Sequence, residues 1–219
     1  FPHFGDDGKW VFFTAAPLRD EQGQVIGAIE TLQDMTDRRR AEEALKNSEE
    51  RYRCLSITDS MTGLFNTRHF YERLEIEVER AGRYGRPLAL LLMDVDNFKN
   101  VNDSFGHLEG DKVLQVLAEV IRTSLRQTDA AFRYGGEEFV VILPETKLDV
   151  ACLLAERLRE AFAQYEFQPS VDHSLHITIS IGVSAFQMGD VGKVLLRRAD
   201  EGTYKAKRSG KNCVVCISA

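Results

Sequence analysis

Leu88-Ala89-Leu90-Leu91-Leu92-Met93 is a continuous apolar run, set off by the turn signal Gly85-Arg86-Pro87 and ended by Asp94-Val95-Asp96. A run this short and this unbroken suits a central strand buried on both faces. A strand of that kind needs helices on each side of its sheet, which makes this stretch the strongest single constraint on the fold.

The sequence around it supplies those helices. Asn66 is a plausible N-cap for a helix with Phe70, Leu74, Val78 and Ala81 on one face, ending near Gly85-Arg86-Pro87. Further helices are predicted through Val113, Leu114, Leu117, Val120, Ile121 and Leu125, through Leu153, Leu154, Leu158 and Phe162, and through Leu195, Leu196 and Ala199. Strands are predicted at 177–183 and 213–217. Strands alternating with helices, plus one hairpin, give an α/β (α+β) class with a mixed sheet flanked by helices.

That hairpin is Arg133-Tyr134-Gly135-Gly136-Glu137-Glu138-Phe139, running into Val140-Val141-Ile142-Leu143. Adjacent glycines suit a tight turn, since both central positions can take positive φ. Two acids then stand at the mouth of a buried strand, where they are either solvated turn residues or groups that meet a metal or a substrate hydroxyl. Asp94 and Asp96 sit at the carboxyl end of the central strand, the edge where open α/β sheets place ligands. With a period of two they point to one side. They serve either as loop caps or, beside the Glu137 strand, as oxygen ligands for Mg²⁺, because clustered carboxylates are costly without a cation. Downstream, Lys99 and His107 can meet phosphate, and Asn102 can donate and accept beside a base. Asp111 can accept from guanine N1–H and the exocyclic amine, or cap a helix after Gly110.

Composition narrows the partners. A net charge of −6 argues against non-specific nucleic-acid binding, which rests on a basic surface. The longest apolar runs, 88–93 and 150–155, are far short of the roughly 20 residues of a membrane-spanning helix. Cys213-Val214-Val215-Cys216 has redox-like spacing but lies in an apolar, strand-like tail with no second Cys pair or nearby His to complete a zinc site. These two, with Cys54 and Cys152, therefore read as structural thiols in a reducing compartment rather than as a metal or redox site. The chain starts at Phe1 with neither an initiator Met nor a signal-peptide pattern and reads as a fragment of something longer.

Residues 8–33 read as a two-stranded hairpin around Arg19-Asp20-Glu21-Gln22-Gly23-Gln24. With Asp34-Met35-Thr36 leading into a charged helix from about Asp37 to Leu55, this part resembles the end of a PAS sensor domain, whose Asp-x-Thr motif joins the last strand to an output helix. Ala41, Leu45, Ser48, Tyr52 and Leu55 form a thin heptad seam, either a dimer contact or a solvated linker.

A second resemblance spans residues 56–217. Asp59-Ser60-Met61-Thr62-Gly63-Leu64-Phe65-Asn66, Asp94-Val95-Asp96-Asn97-Phe98-Lys99, Asn102-Asp103, Gly106-His107, Gly110-Asp111, the Gly135-Gly136-Glu137-Glu138-Phe139 hairpin, Ala199-Asp200-Glu201, Tyr204, Ala206-Lys207 and Gly210-Lys211-Asn212 occur in order. Together they resemble the GGDEF family of diguanylate cyclases. The resemblance implies a bacterial, palm-like fold related to nucleotidyl cyclases that condenses two GTP into cyclic di-GMP across a homodimer. It implies two Mg²⁺ or Mn²⁺ per site on Asp94, Glu137 and the Val95 carbonyl. It also implies guanine recognition by Asn102 and Asp111, with Lys99, His107, Lys207 and Lys211 near the triphosphate. Lys211 stands where the family commonly has Arg, keeping the charge without bidentate geometry. Gly135 and Gly136 would let the nucleotide approach the backbone, and Glu138 is a candidate proton acceptor. Arg126-Gln127-Thr128-Asp129 matches the family's inhibitory Arg-x-x-Asp site for product; read locally, it is a helix-end Arg and a strand-starting Asp.

The expected organisation is a PAS remnant over 1–36, a linker helix over 37–57 and a catalytic domain over 58–219. The expected location is the bacterial cytoplasm, with membrane attachment open for the full-length protein. A catalytically inactive module that binds GTP or cyclic di-GMP is the alternative.

Overall fold

The computed structural model describes residues 9–170 and 173–218, without side-chain placement for 46–47, 49–56, 170 and 173. The chain divides into two compact units, Phe1–Ser56 and Ile57–Ala219.

In the first unit, β1 (Val11–Arg19) and β2 (Val25–Asp34) pair antiparallel around the Gly23 loop, and α1 (Thr36–Ile57) follows and runs to the start of the second unit. Thr36 binds the junction on both sides: its hydroxyl accepts from Trp10 N at 3.0 Å, and its N–H donates to Asp34 Oδ1 at 3.0 Å. Of the heptad seam, Ala41, Leu45 and Ser48 are exposed, whereas the Tyr52 and Leu55 side chains lie outside the described ones. The same holds for Cys54.

The second unit runs β3 (Phe65–Asn66), α2 (Thr67–Tyr84), β4 (Leu88–Val95), α3 (Phe98–Phe105), α4 (His107–Ser124), β5 (Ala130–Arg133) and β6 (Glu138–Pro144). It continues with α5 (Leu148–Ala163), β7 (Glu166–Ser170), β8 (His173–His176), β9 (Ile179–Ala185), α6 (Gly192–Arg208) and β10 (Val214–Ile217). Six strands form one mixed sheet in the order β10-β9-β4-β6-β5-β3. The apolar run lies near the middle, antiparallel to both β6 and β9, and all eight residues of β4 are buried.

Strand alternation divides the core into two layers. Ala89, Leu91, Met93 and Val95 pack with α4 and α5 residues such as Leu117 and Leu158, while Leu88, Leu90 and Leu92 pack with Phe70 and Leu74 of α2 and Leu195 of α6. Each buried Leu contributes about 1.5–3 kcal/mol, so the strand anchors both layers. α2 starts as expected: Asn66 Oδ1 accepts from His69 N at 3.1 Å, and Gly85 ends it at φ 62°.

Three local expectations are corrected. Leu153 is 72% exposed; the buried stripe of α5 is Ala151, Ala155, Leu158 and Phe162, displaced from the expected face. Neither Gly135 nor Gly136 has positive φ, because residues 134–137 make a four-residue connection rather than a two-residue primed turn. Cys152 of α5 and Cys216 of β10 form a disulfide with Cα atoms 6.3 Å apart, so those two are not free thiols; Cys213 is.

Candidate active site

The site forms at the carboxyl end of β4. There Asp94 is the register partner of Glu138 on β6 and of Ser180 on β9. Residues opposite one another on neighbouring strands project to the same face. Leu90 and Leu92 of β4, and Val140 and Ile142 of β6, belong to the layer shared with α2 and α6. By the same parity Asp94 and Glu138 face α6, while Glu137 lies in the connection before β6, its carbonyl accepting from Val95 N at 3.3 Å.

Asp94 is 7% exposed. Its Oδ2 meets Lys207 Nζ of α6 at 2.5 Å, and its Oδ1 is buried without a hydrogen-bond partner. Burial pushes the Asp94 carboxyl above the ordinary range, and Lys207 pulls it only part of the way back. Glu138 is raised as well, first by burial and then by the Asp94 charge. Two half-compensated carboxylates and one orphaned oxygen fit a hard divalent cation. Among the described residues no three carboxylates, imidazoles or thiols converge, so such a cation would need backbone, water or substrate oxygens as well.

Asp96 does not join them. It is 4% exposed, and its carboxylate accepts from Thr178 Oγ1 and Ser180 Oγ, each at 2.7 Å, and from Asn212 N at 3.0 Å. Its lone pairs are directed to β9 and the turn before β10, which corrects the expectation of a shared carboxylate cluster.

The hairpin turn is held from outside. Arg133 donates through Nε and Nη2 to Gly136 O at 3.3 and 3.0 Å, and through Nη1 to Asp59 Oδ1 at 3.2 Å. Asp59 also accepts from Thr62 N and Thr62 Oγ1. Burial raises its carboxyl, but the Thr62 donors and the Arg133 guanidinium more than offset that and hold it below the ordinary value. A Cβ at Gly135 would meet Glu138 Oε2 at 2.9 Å, so a side chain there would make the Glu138 carboxylate swing aside, whereas Gly136 faces open space.

On the other flank, α3 packs against α4. A Cβ at Gly110 would lie 1.9 Å from Asn102 Oδ1, so only glycine lets the Asn102 amide cross α4 next to Asp111. That amide oxygen is buried without a partner. Asp111 lies inside α4, not at its start, which removes the capping alternative. Lys99 on α3 and His107 at the head of α4 are exposed; Lys211 donates to Asn97 Oδ1 at 2.5 Å.

Arg126 and Asp129 lie apart from the Asp94 site, closed on each other by Arg126 N to Asp129 Oδ2 (3.0 Å) and Asp129 N to Arg126 O (3.1 Å). Both line a cavity together with Ser124, Thr146 and Arg157. Arg157, brought in by α5, was not singled out from sequence because no local spacing connects it to the Arg-x-x-Asp motif.

Residues 56–213 match the diguanylate cyclase, GGDEF domain family, and residues 1–40 match a PAS fold family. The chain is 41% identical over 194 residues to diguanylate cyclase DgcP of Pseudomonas aeruginosa, covering 88% of this chain and 29% of that protein. It is 46% identical over 182 residues to the response regulator PleD of Caulobacter vibrioides, covering 81% of this chain and 40% of that one. Thus it spans well under half of either relative. The coiled coil and GGDEF domain of DgcB from Caulobacter crescentus, solved in complex with c-di-GMP, superposes with a TM-score of 0.79 at 30% identity over 84% of this chain and 97% of that one. With its palm-like mixed sheet, its Gly-Gly-Glu-Glu hairpin beside Asp94 and a family match over most of its length, the chain belongs to the GGDEF family of diguanylate cyclases.

Proposed function

We propose that this chain is a diguanylate cyclase that condenses two GTP into cyclic di-GMP and two pyrophosphates. The observation that carries the reading is the buried, unpartnered Asp94 Oδ1 on the same face as Glu138, at the carboxyl end of the central strand. Asp94, the Val95 carbonyl and Glu137 are the proposed holders of two Mg²⁺ or Mn²⁺, and the register makes Glu138 a further candidate. When bound, the metals would neutralise charge on the triphosphate and the leaving pyrophosphate.

The chain's own residues do the rest. Asn102 and Asp111 read guanine, with Gly110 giving the Asn102 amide its place. Lys207, Lys211, Lys99 and His107 receive the phosphates as point charges and donors. Gly135 and Gly136 leave the turn without side chains where the nucleotide would approach. Glu138, raised by burial and by Asp94, is the candidate to take the 3′-hydroxyl proton. That hydroxyl, on GTP held by a second copy, attacks the α-phosphorus in line and displaces pyrophosphate. The reciprocal step closes the ring, so a homodimer of facing sites supplies the orientation.

Arg126, Asp129 and Arg157 are proposed to bind cyclic di-GMP as an inhibitor, supported by the cavity they share. Residues 1–36 act as the end of a PAS sensor, 37–57 as the linker helix and 58–219 as the catalytic domain. No helix among the described residues is long and apolar enough to cross a membrane, and a cytoplasmic site of action is part of the proposal.

Incubating the protein with GTP and Mg²⁺ tests the reading. Cyclic di-GMP is the expected product, and its absence at high protein concentration would leave a module that only binds nucleotide. Adding ATP in competition tests the base assignment, which substantial mixed dinucleotide would overturn.

A further inference from the structure

The turn between α6 and β10 carries three successive residues in the left-handed region: Gly210 at φ 110°, Lys211 at 65° and Asn212 at 46°. Glycine adopts that conformation freely, but side chains with a Cβ do not, and two in a row persist only where their surroundings hold them. The hold is visible. Lys211 N donates to Ala206 O at 3.1 Å, Asn212 Oδ1 accepts from Arg159 Nη1 at 2.9 Å, and Asn212 N donates to Asp96 Oδ2 at 3.0 Å.

Asp96 is built into this role. Its two remaining donors, the hydroxyls of Thr178 and Ser180, come from the entry to β9 and from β9 itself, so the carboxylate is fixed before it meets the turn. The next residue, Asn97, is itself left-handed at φ 57° and accepts from Lys211 Nζ at 2.5 Å. Consecutive residues at the end of β4 thus grip the turn twice, once by the Asn212 backbone and once by the Lys211 ammonium. The Lys211 charge is felt at Asp94, which it helps draw down.

We propose that Asp96, with Asn97, is a positioning residue that presents the Lys211 ammonium to the substrate triphosphate. A buried carboxylate that served only to join the hydroxyls of Thr178 and Ser180 would have no call on a strained turn from another element. Here the third acceptor site meets a backbone N–H next to the lysine. The proposal rests on the reading of this site as one for GTP, and its test separates the two.

In the whole chain, Asp96→Asn is expected to raise the GTP KM about tenfold, the scale of losing one charge-assisted hydrogen bond, with kcat changed less. Lys211→Ala should raise KM at least as much, and the double variant should be no worse than Lys211→Ala alone. Asn212→Gly, which relieves the left-handed conformation while keeping the N–H, should recover part of the KM in the Asp96→Asn background. Multiplying effects in the double variant, or an unchanged KM in either single variant, would overturn the assignment. Amide hydrogen exchange needs no turnover: it should quicken about tenfold at Asn212 in Asp96→Asn. Unchanged exchange there overturns the clamp even in a protein that makes cyclic di-GMP. Quickened exchange without turnover in the wild type keeps the clamp on the turn but removes the GTP reading and, with it, the role given to Lys211.

Discussion

Asp94 and Glu138 are opposite one another in the β4–β6 ladder and leave the sheet on the face that α6 covers, with Lys207 set against Asp94. Glu137, one residue earlier, lies in the connection that leads into β6. Asp94→Asn and Glu137→Gln are each expected to lower cyclic di-GMP formation at least about a hundredfold, since even outer-sphere changes at metal sites cost 10- to 100-fold. Circular dichroism should show the fold intact. Glu138→Gln, assayed beside them, separates the two acids: retained activity there with loss in Glu137→Gln supports Glu137 as the metal ligand, and the reverse transfers the role to Glu138.

The same pair sets a pH dependence of stability. The folded-state pKa of Glu138 lies above the ordinary value, so its stabilising contribution is present below the ordinary glutamate pKa and is lost as pH rises through the raised value. At neutral pH the ionised group therefore costs stability when no metal is bound. In chelator, Glu138→Gln should melt at a higher temperature than the wild type at pH 7. The advantage should shrink as pH falls through the window between the raised and the ordinary value. A lower melting temperature at pH 7 would contradict the burial and repulsion assigned to this group.

How far the sequence carried these conclusions depends on how local each signal is. The Leu88 run revealed the central strand because burial on both faces leaves an unbroken apolar stretch, and Asn66 revealed a helix start through a single hydrogen bond to His69 N. Glu166–Ser170 and His173–His176 carry few apolar residues, so their pairing left no pattern to read. Parity along β6 was legible in principle, but the Gly-Gly pair suggested a two-residue turn, which would have started the strand elsewhere. The donors to Asp96 and the partner of Cys152 lie far along the chain and are brought close only by tertiary packing.

Arg126 and Arg157 line one cavity, the first just after the end of α4 and the second on α5. Either change to Ala removes a guanidinium that would meet phosphate, a loss of about 1.5–3 kcal/mol, or roughly 10- to 100-fold in the inhibition constant for cyclic di-GMP. Turnover at low product should be unaffected, because neither residue is near Asp94. Progress curves with added cyclic di-GMP check this: unchanged inhibition in both variants would reject the site, and a change in Arg126→Ala alone would remove Arg157 from it.

Gly182 decides whether α6 can deliver Lys207 at all. It lies on β9 beneath α6, where a Cβ would meet Ala199 O at 1.9 Å and Thr203 N at 2.3 Å, both backbone atoms that cannot swing aside. The close approach is fixed by Thr203, whose Oγ1 accepts from Gly182 N at 3.1 Å and lies 2.9 Å from Leu92 O as donor. Gly182→Ala must therefore push the helix off the sheet or bend the strand. The expected cost is about 3 kcal/mol or more, above the usual range for overpacking because no flexible side chain can give way. Chemical denaturation measures it. Thr203→Val serves as the milder probe, keeping the shape while removing the hydroxyl between two buried backbone groups, and it should lower stability by about 1–3 kcal/mol. If Gly182→Ala were as stable as the wild type, α6 would not rest on β9 as closely as described, and the pairing of Lys207 with Asp94 would lose its support.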